Sequence, residues 1–186
     1  KWSWWIMVLT YKQCIEKYGS DHMLKKEIAE GNLFQKEKGI YSLSRNCSEL
    51  EIIGAKYPKA VFTGESAFYY HGLTDVIPDF YHLATVRTDG RIKDERVKQT
   101  FLKEDIFDMG QVKISYHNTE ICIYNLERML IELVRFRGKL PFDYYKEIIG
   151  SYRNRVETMD IAKLEEYAAK FKHSDKMLQV MELEVL

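Results

Sequence analysis

Gly19, Gly31 and Gly39 divide the opening of this chain into segments too short to bury a core singly, so the region must be built from several small elements packed together. Thr10-Tyr11-Lys12-Gln13 is a capping box, in which the Thr10 hydroxyl and the Gln13 side chain satisfy orphan amides at a helix start. Tyr11, Cys14, Ile15 and Tyr18 recur at helical spacing, and Gly19 supplies the left-handed residue that ends the helix. Ser20 or Asp21 caps a second helix, predicted through about Glu30, with Met23, Leu24 and Ile28 inward and Gly31 as its stop. Two β-prone runs, 33–37 and 39–43, flank Lys38-Gly39 and read as a hairpin. Helix, tight turn, helix and basic-tipped hairpin predict a helix-turn-helix with a wing over residues 7–45. Only the segment before Thr10 is read as a source for the third helix that closes such domains. Either the tryptophan-rich start packs there or the domain is abbreviated.

The remainder, 46–186, begins with a helix over 46–58 that is expected to link the two parts. A second capping box, Ser48-Glu49-Leu50-Glu51, opens it and places Leu50, Ile53 and Tyr57 on one side. Val61-Phe62-Thr63 leads into a helix over 65–71 closed by Gly72, and 80–86 reads as a strand. Segments 112–116 and 120–124 alternate around His117-Asn118-Thr119 as a half-buried hairpin. Helices follow. One runs from Asn125 with Leu126, Met129, Leu130, Leu133 and Val134 inward. The next has Pro141 in its first turn and Tyr145, Ile148, Ile149 and Tyr152 inward, and two more are capped by Asp160 and Ser174. Strands in the middle and helices at both ends predict an α+β fold class: an abbreviated winged helix-turn-helix, then a mixed α/β C-terminal domain ending in helices.

Composition narrows the chemistry. With 186 residues and 46% hydrophobic content the chain can bury a real core. Its formal charge is zero, which supplies no global attraction to phosphate. The charge is uneven, however: residues 157–186 hold seven acidic residues against four lysines, leaving a positive excess before them. Cys14, Cys47 and Cys122 are odd in number and lack CxxC or histidine spacing, so they read as reduced structural thiols, with no metal site, in a cytoplasmic protein. The apolar start, Lys1-Trp2-Ser3-Trp4-Trp5-Ile6, is too short for a signal or a membrane span and reads either as a non-native leader or as a plug for a groove. No Walker A, HExxH or G-x-S-x-G pattern occurs, and no cofactor or catalytic residue is expected. Glu65, His71 and Asp75 are the one candidate acid/base set, against the plainer reading of a packed aromatic helix.

For nucleic acid, Ser20, Asp21, His22, Lys25 and Lys26 lie at the front of the helix that a helix-turn-helix sends into the major groove. Lys36, Lys38 and Arg45, on and just beyond the wing, are placed to touch the backbone and give position more than sequence information. The alternative is a solvated basic face on an ordinary helix. A second basic stretch, Arg87, Arg91, Lys93, Arg96, Lys98 and Lys103, is interleaved with Asp89, Asp94 and Glu95 and reads as a solvated surface segment.

Three runs carry a family resemblance: Gly31-Asn32-Leu33-Phe34 leading to Glu37-Lys38-Gly39-Ile40-Tyr41; Val61-Phe62-Thr63-Gly64-Glu65-Ser66-Ala67-Phe68-Tyr69-Tyr70-His71-Gly72-Leu73; and Ile123-Tyr124-Asn125-Leu126-Glu127-Arg128-Met129-Leu130. In this order the chain resembles the AbiEi-type antitoxins, transcriptional regulators of type IV toxin-antitoxin (abortive infection) systems. The resemblance implies a repressor that binds double-stranded DNA at its own operator and counters a nucleotidyltransferase-like toxin of the AbiEii kind. It carries over no catalytic residue. A homodimer and no membrane partner are expected. The alternative is an interaction module whose winged helix no longer binds DNA and whose acidic C-terminal helices, rich in Glu165, Glu166, Glu182 and Glu184, hold the toxin.

Overall fold

A computed structural model describes residues 7–186; the tryptophan-rich start, and with it the leader-or-plug question, lies outside the described residues. The chain divides into two compact units, one ending at Lys59 and one beginning at Ala60.

In the first unit, β1 (Val8–Thr10), α1 (Tyr11–Tyr18), α2 (Asp21–Ala29), β2 (Phe34–Glu37), β3 (Ile40–Ser42) and α3 (Glu49–Lys56) follow in order. The antiparallel sheet has the order β1-β3-β2, with Leu9 and Gln35 both opposite Tyr41. Thr10 serves twice, as the last residue of β1 and as the N-cap of α1. Its amide donates to Gln13 Oε1 at 2.8 Å and its hydroxyl oxygen accepts from the Gln13 amide at 3.4 Å, forming the capping box read from sequence. Gly19 has φ 85° and its N–H reaches the Ile15 carbonyl at 2.8 Å. Leu9, Cys14, Leu24, Leu33 and Tyr41 form the core, and Ile15, Tyr18, Ile28 and Leu43 pack against it.

Here the structure corrects three expectations. The segment before Thr10 is a strand, not a helix: three extended residues add to the hairpin, a piece too short for alternation to reveal. The helix expected to link the two parts belongs to the first unit, where α3 packs on β1 and β3 and buries Leu50 and Ile53. Met23 is exposed, because Leu24 holds the buried stripe of α2 and the preceding residue lies about 100° round the helix.

The second unit is built on a five-stranded sheet of order β6-β5-β4-β8-β7. Its elements are β4 (Val61–Phe62), α4 (Gly64–Tyr70), β5 (Tyr81–Val86), β6 (Val97–Leu102), α5 (Glu104–Phe107), β7 (Gln111–Tyr116) and β8 (Thr119–Tyr124). They are followed by α6 (Leu126–Phe136), α7 (Phe142–Arg153), α8 (Ile161–Ala168) and α9 (Ser174–Glu184). β5 and β6 run parallel, as do β4 and β8; the other neighbours are antiparallel. His117 and Asn118, both at positive φ, make a two-residue hairpin turn, and Thr119 already belongs to β8.

Two further expectations change in this unit. Part of the basic stretch read as solvated is β6, whose full pairing with β5 was hidden by its alternating polar residues. Ser174 is the first residue of α9 rather than its cap; His173, at φ 64°, holds the cap position. By contrast, Asn125 and Asp160 cap α6 and α8 through side-chain bonds to Arg128 N (3.0 Å) and Lys163 N (3.1 Å). With its sheet and its succession of helices, the protein is α+β.

Candidate nucleic-acid interface

The nucleic-acid candidates fall into two groups. On α2, Ser20 is the N-cap, its hydroxyl oxygen accepting from Met23 N at 3.3 Å, and so is committed to helix formation before any ligand arrives. His22 is exposed beside it. Lys25 and Lys26 project into solvent but each meets a carboxylate one turn away: Lys25 to Asp21 at 2.8 Å, Lys26 to Glu30 at 3.7 Å. The hydrogen bond and charge of Asp21 raise the Lys25 pKa, so this ammonium is a firmly held cation. Exposed pairs of this kind are weak, and a phosphate can replace the carboxylate.

On the hairpin, Lys36 Nζ donates to the Arg45 carbonyl at 2.5 Å and lies 5.8 Å from the Phe34 ring centroid. The two ends of the hairpin are thereby joined, with the Arg45 side chain exposed. Lys38 sits exposed in the turn before Gly39. What connects the groups is Tyr11, which the periodicity assigned to the apolar face of α1. Its amide donates to the Gly39 carbonyl at 2.8 Å, its ring is 44% exposed, and it lies near enough to Lys25 to act on that charge. Only a contact between residues far apart in sequence identifies it. Residues 7–59 carry nine Lys and Arg against seven Asp and Glu, a small positive excess.

Elsewhere, the acid/base set does not assemble. His71 Nε2 bonds the Tyr124 carbonyl at 2.7 Å, Glu65 faces His82 at 3.8 Å, and the Asp75 amide reaches Glu147 at 3.4 Å. Each of the three is engaged with a different partner, so they do not form a working unit. Of the second basic stretch, Arg96 is clamped by Asp94 at 2.8 and 2.9 Å, while Lys98 lies on β6. Among the described residues no group of His, Cys, Asp and Glu is arranged to hold a metal ion, and no helix is long and apolar enough to cross a membrane. The cysteines are unbridged, and burial pushes the Cys14 thiol up to about 11.

Fold and surface together define an α+β protein of two units, the first presenting a helix and a hairpin that both carry exposed cations. No protein-family model matches the chain, and no curated protein matches it.

Proposed function

We propose that this protein is a sequence-specific DNA-binding repressor whose first unit is a winged helix-turn-helix. We further propose that it serves as the antitoxin of a type IV toxin-antitoxin system against a nucleotidyltransferase-like toxin. One observation carries the DNA reading: two capped helices meet at Gly19-Ser20 and are followed by a basic-tipped hairpin whose second strand pairs with β1. In that arrangement α2 enters the major groove, with Ser20, Asp21 and His22 nearest the base edges and Lys25 and Lys26 toward phosphates. Lys36, Lys38 and Arg45 follow the backbone. The modest charge of the unit implies weak contact per copy, strengthened by a homodimer on an operator with half-sites about one helical turn apart. The antitoxin assignment rests on the three sequence runs that resemble the AbiEi-type antitoxins.

Gel retardation with the upstream region of the protein's own operon tests the DNA reading. A shift that weakens steeply with salt is expected, since binding to phosphates releases counterions. No shift even at low salt overturns it. Growth rescue on co-expression with an operon-encoded nucleotidyltransferase tests the antitoxin assignment, and unrelieved toxicity overturns it.

A second reading, an interaction module holding the toxin, is favoured by the carboxylates that already engage Lys25 and Lys26 and by the exposure of Glu165, Glu166 and Glu182. Co-purification with the toxin, together with unchanged DNA binding in a Lys25→Ala/Lys26→Ala variant, selects it.

A further inference from the structure

At the rim of the second unit, β6 has β5 on one side and no strand on the other. Beside it opens a cleft of about 390 Å³, lined by Arg91, Ile92, Val97, Lys98, Gln99 and Phe101. That volume lies within the range of small-ligand sites, roughly 300–1,000 Å³. The cleft is held in shape by the protein itself. Gln99 Nε2 donates to Thr85 Oγ1 at 2.7 Å and to the Gly90 carbonyl at 2.9 Å, and Gln99 Oε1 accepts from the Ile92 amide at 2.8 Å. All of the polar atoms of this side chain are engaged, so the loop bearing Arg91 is pinned against β6.

Two cations, from Arg91 and Lys98, reach this wall with no carboxylate partner among the described residues, whereas nearby Arg96 is bound to Asp94. Phe101 leaves 42% of its surface open in the same cleft, on the same face of β6 as Val97 and Gln99. An aromatic face beside paired cations is the arrangement that takes a base by stacking and its phosphate by charge. We infer that this cleft binds a nucleoside phosphate, with the base on Phe101 and the phosphate between Arg91 and Lys98. The site lies wholly in the second unit and is independent of duplex binding by the first. A free nucleotide and one nucleotide of a single strand share the required chemistry.

Titration calorimetry of the full chain with ADP, inorganic pyrophosphate, the oligonucleotide dT8 and an oligo-glutamate peptide tests this. Saturable binding of ADP is expected. Arg91→Ala/Lys98→Ala weakens both ADP and pyrophosphate by about tenfold or more, and Phe101→Ala weakens ADP by a similar factor while leaving pyrophosphate unchanged. The replaced groups are surface-lying; Lys98→Gln and Phe101→Leu repeat the test should either variant melt early. Tighter binding of ADP than of dT8 identifies a free nucleotide as the source, and the reverse order identifies a single strand. No heat with either ADP or dT8, heat with oligo-glutamate alone, or ADP affinity unchanged in both variants overturns the inference.

Discussion

Arg128 Nη2 lies 2.7 Å from Glu132 Oε1, one turn further along α6, and the Arg128 side chain is wholly buried. The approach is close, but its angle makes no hydrogen bond, so the Nε and both Nη atoms of Arg128 lack a hydrogen-bond partner. Charge attraction and two aromatic rings hold the guanidinium: the Phe171 centroid lies at 4.5 Å and that of Tyr124 at 5.3 Å. Burial lowers the Arg128 pKa, and Glu132 opposes that shift. Glu132 also accepts from Arg135 at 3.1 Å. Removing one partner of such a pair strands the other in the core, at a cost of about 3–5 kcal/mol. Glu132→Ala is therefore expected to lose stability on that scale in urea unfolding, and Arg128→Met/Glu132→Leu to lose much less. A single variant as stable as the parent contradicts this account of α6.

Gly110 stands against the same residues. At φ 82° a Cβ there meets Asn125 Oδ1 at 2.7 Å and Arg128 Cβ at 2.8 Å, so both the backbone and its neighbours resist a side chain. Gly110→Ala is expected to cost about 2 kcal/mol or more, from strained φ and overpacking together. Gly150, inside α7 with open space around it, behaves oppositely: Gly150→Ala gains about 0.5–1 kcal/mol. Thermal melting of the two variants should move in opposite directions; shifts of the same sign would contradict the prediction.

Burial lowers the pKa of both His71 and His82 below the ordinary 6.5. At His82 the Glu65 carboxylate opposes the shift and Lys98 adds to it; at His71 the bond to the Tyr124 carbonyl opposes it. As pH falls below 6.5 the unfolded chain takes up protons that the folded chain still refuses, so stability is lost on acidification. The melting temperature is expected to fall between pH 7.5 and pH 5. A His71→Gln/His82→Gln variant should show a shallower dependence over that interval, and an unchanged slope rules out these imidazoles as its source.

Asp21 and Lys25 oppose each other in the proposed DNA interface. Asp21→Asn removes the carboxylate that engages Lys25 and is expected to tighten binding to any duplex, with little gain in discrimination. Lys25→Ala/Lys26→Ala is expected to weaken all duplexes alike and to lower the salt slope by about 0.9 for each phosphate that is no longer neutralised. Fluorescence anisotropy across a salt series reads both. Weaker binding by Asp21→Asn would instead make this carboxylate a base-reading group.

Helix starts and turns were legible where both partners of the deciding bond lie within a few residues. Thr10 with Gln13, Ser48 with Glu51, Asn125 with the Arg128 amide and the His117-Asn118 turn are local hydrogen bonds or local backbone preferences. The cations of α2 and the hairpin were likewise legible as residues, but their partners were not all so. Lys36 meets a carbonyl nine positions away, and Tyr11 is tied to Gly39 by strand pairing.

Sequence alone therefore determined the order of elements, the caps, and which short segments must pack together. Tertiary structure decided that Val8–Thr10 is a strand, that α3 completes the first unit, that β6 joins the sheet in parallel, and that Arg128 is buried with its charge. A cap is settled by neighbours a few bonds away, whereas sheet pairing and the desolvation of a charge depend on which distant residues are brought alongside.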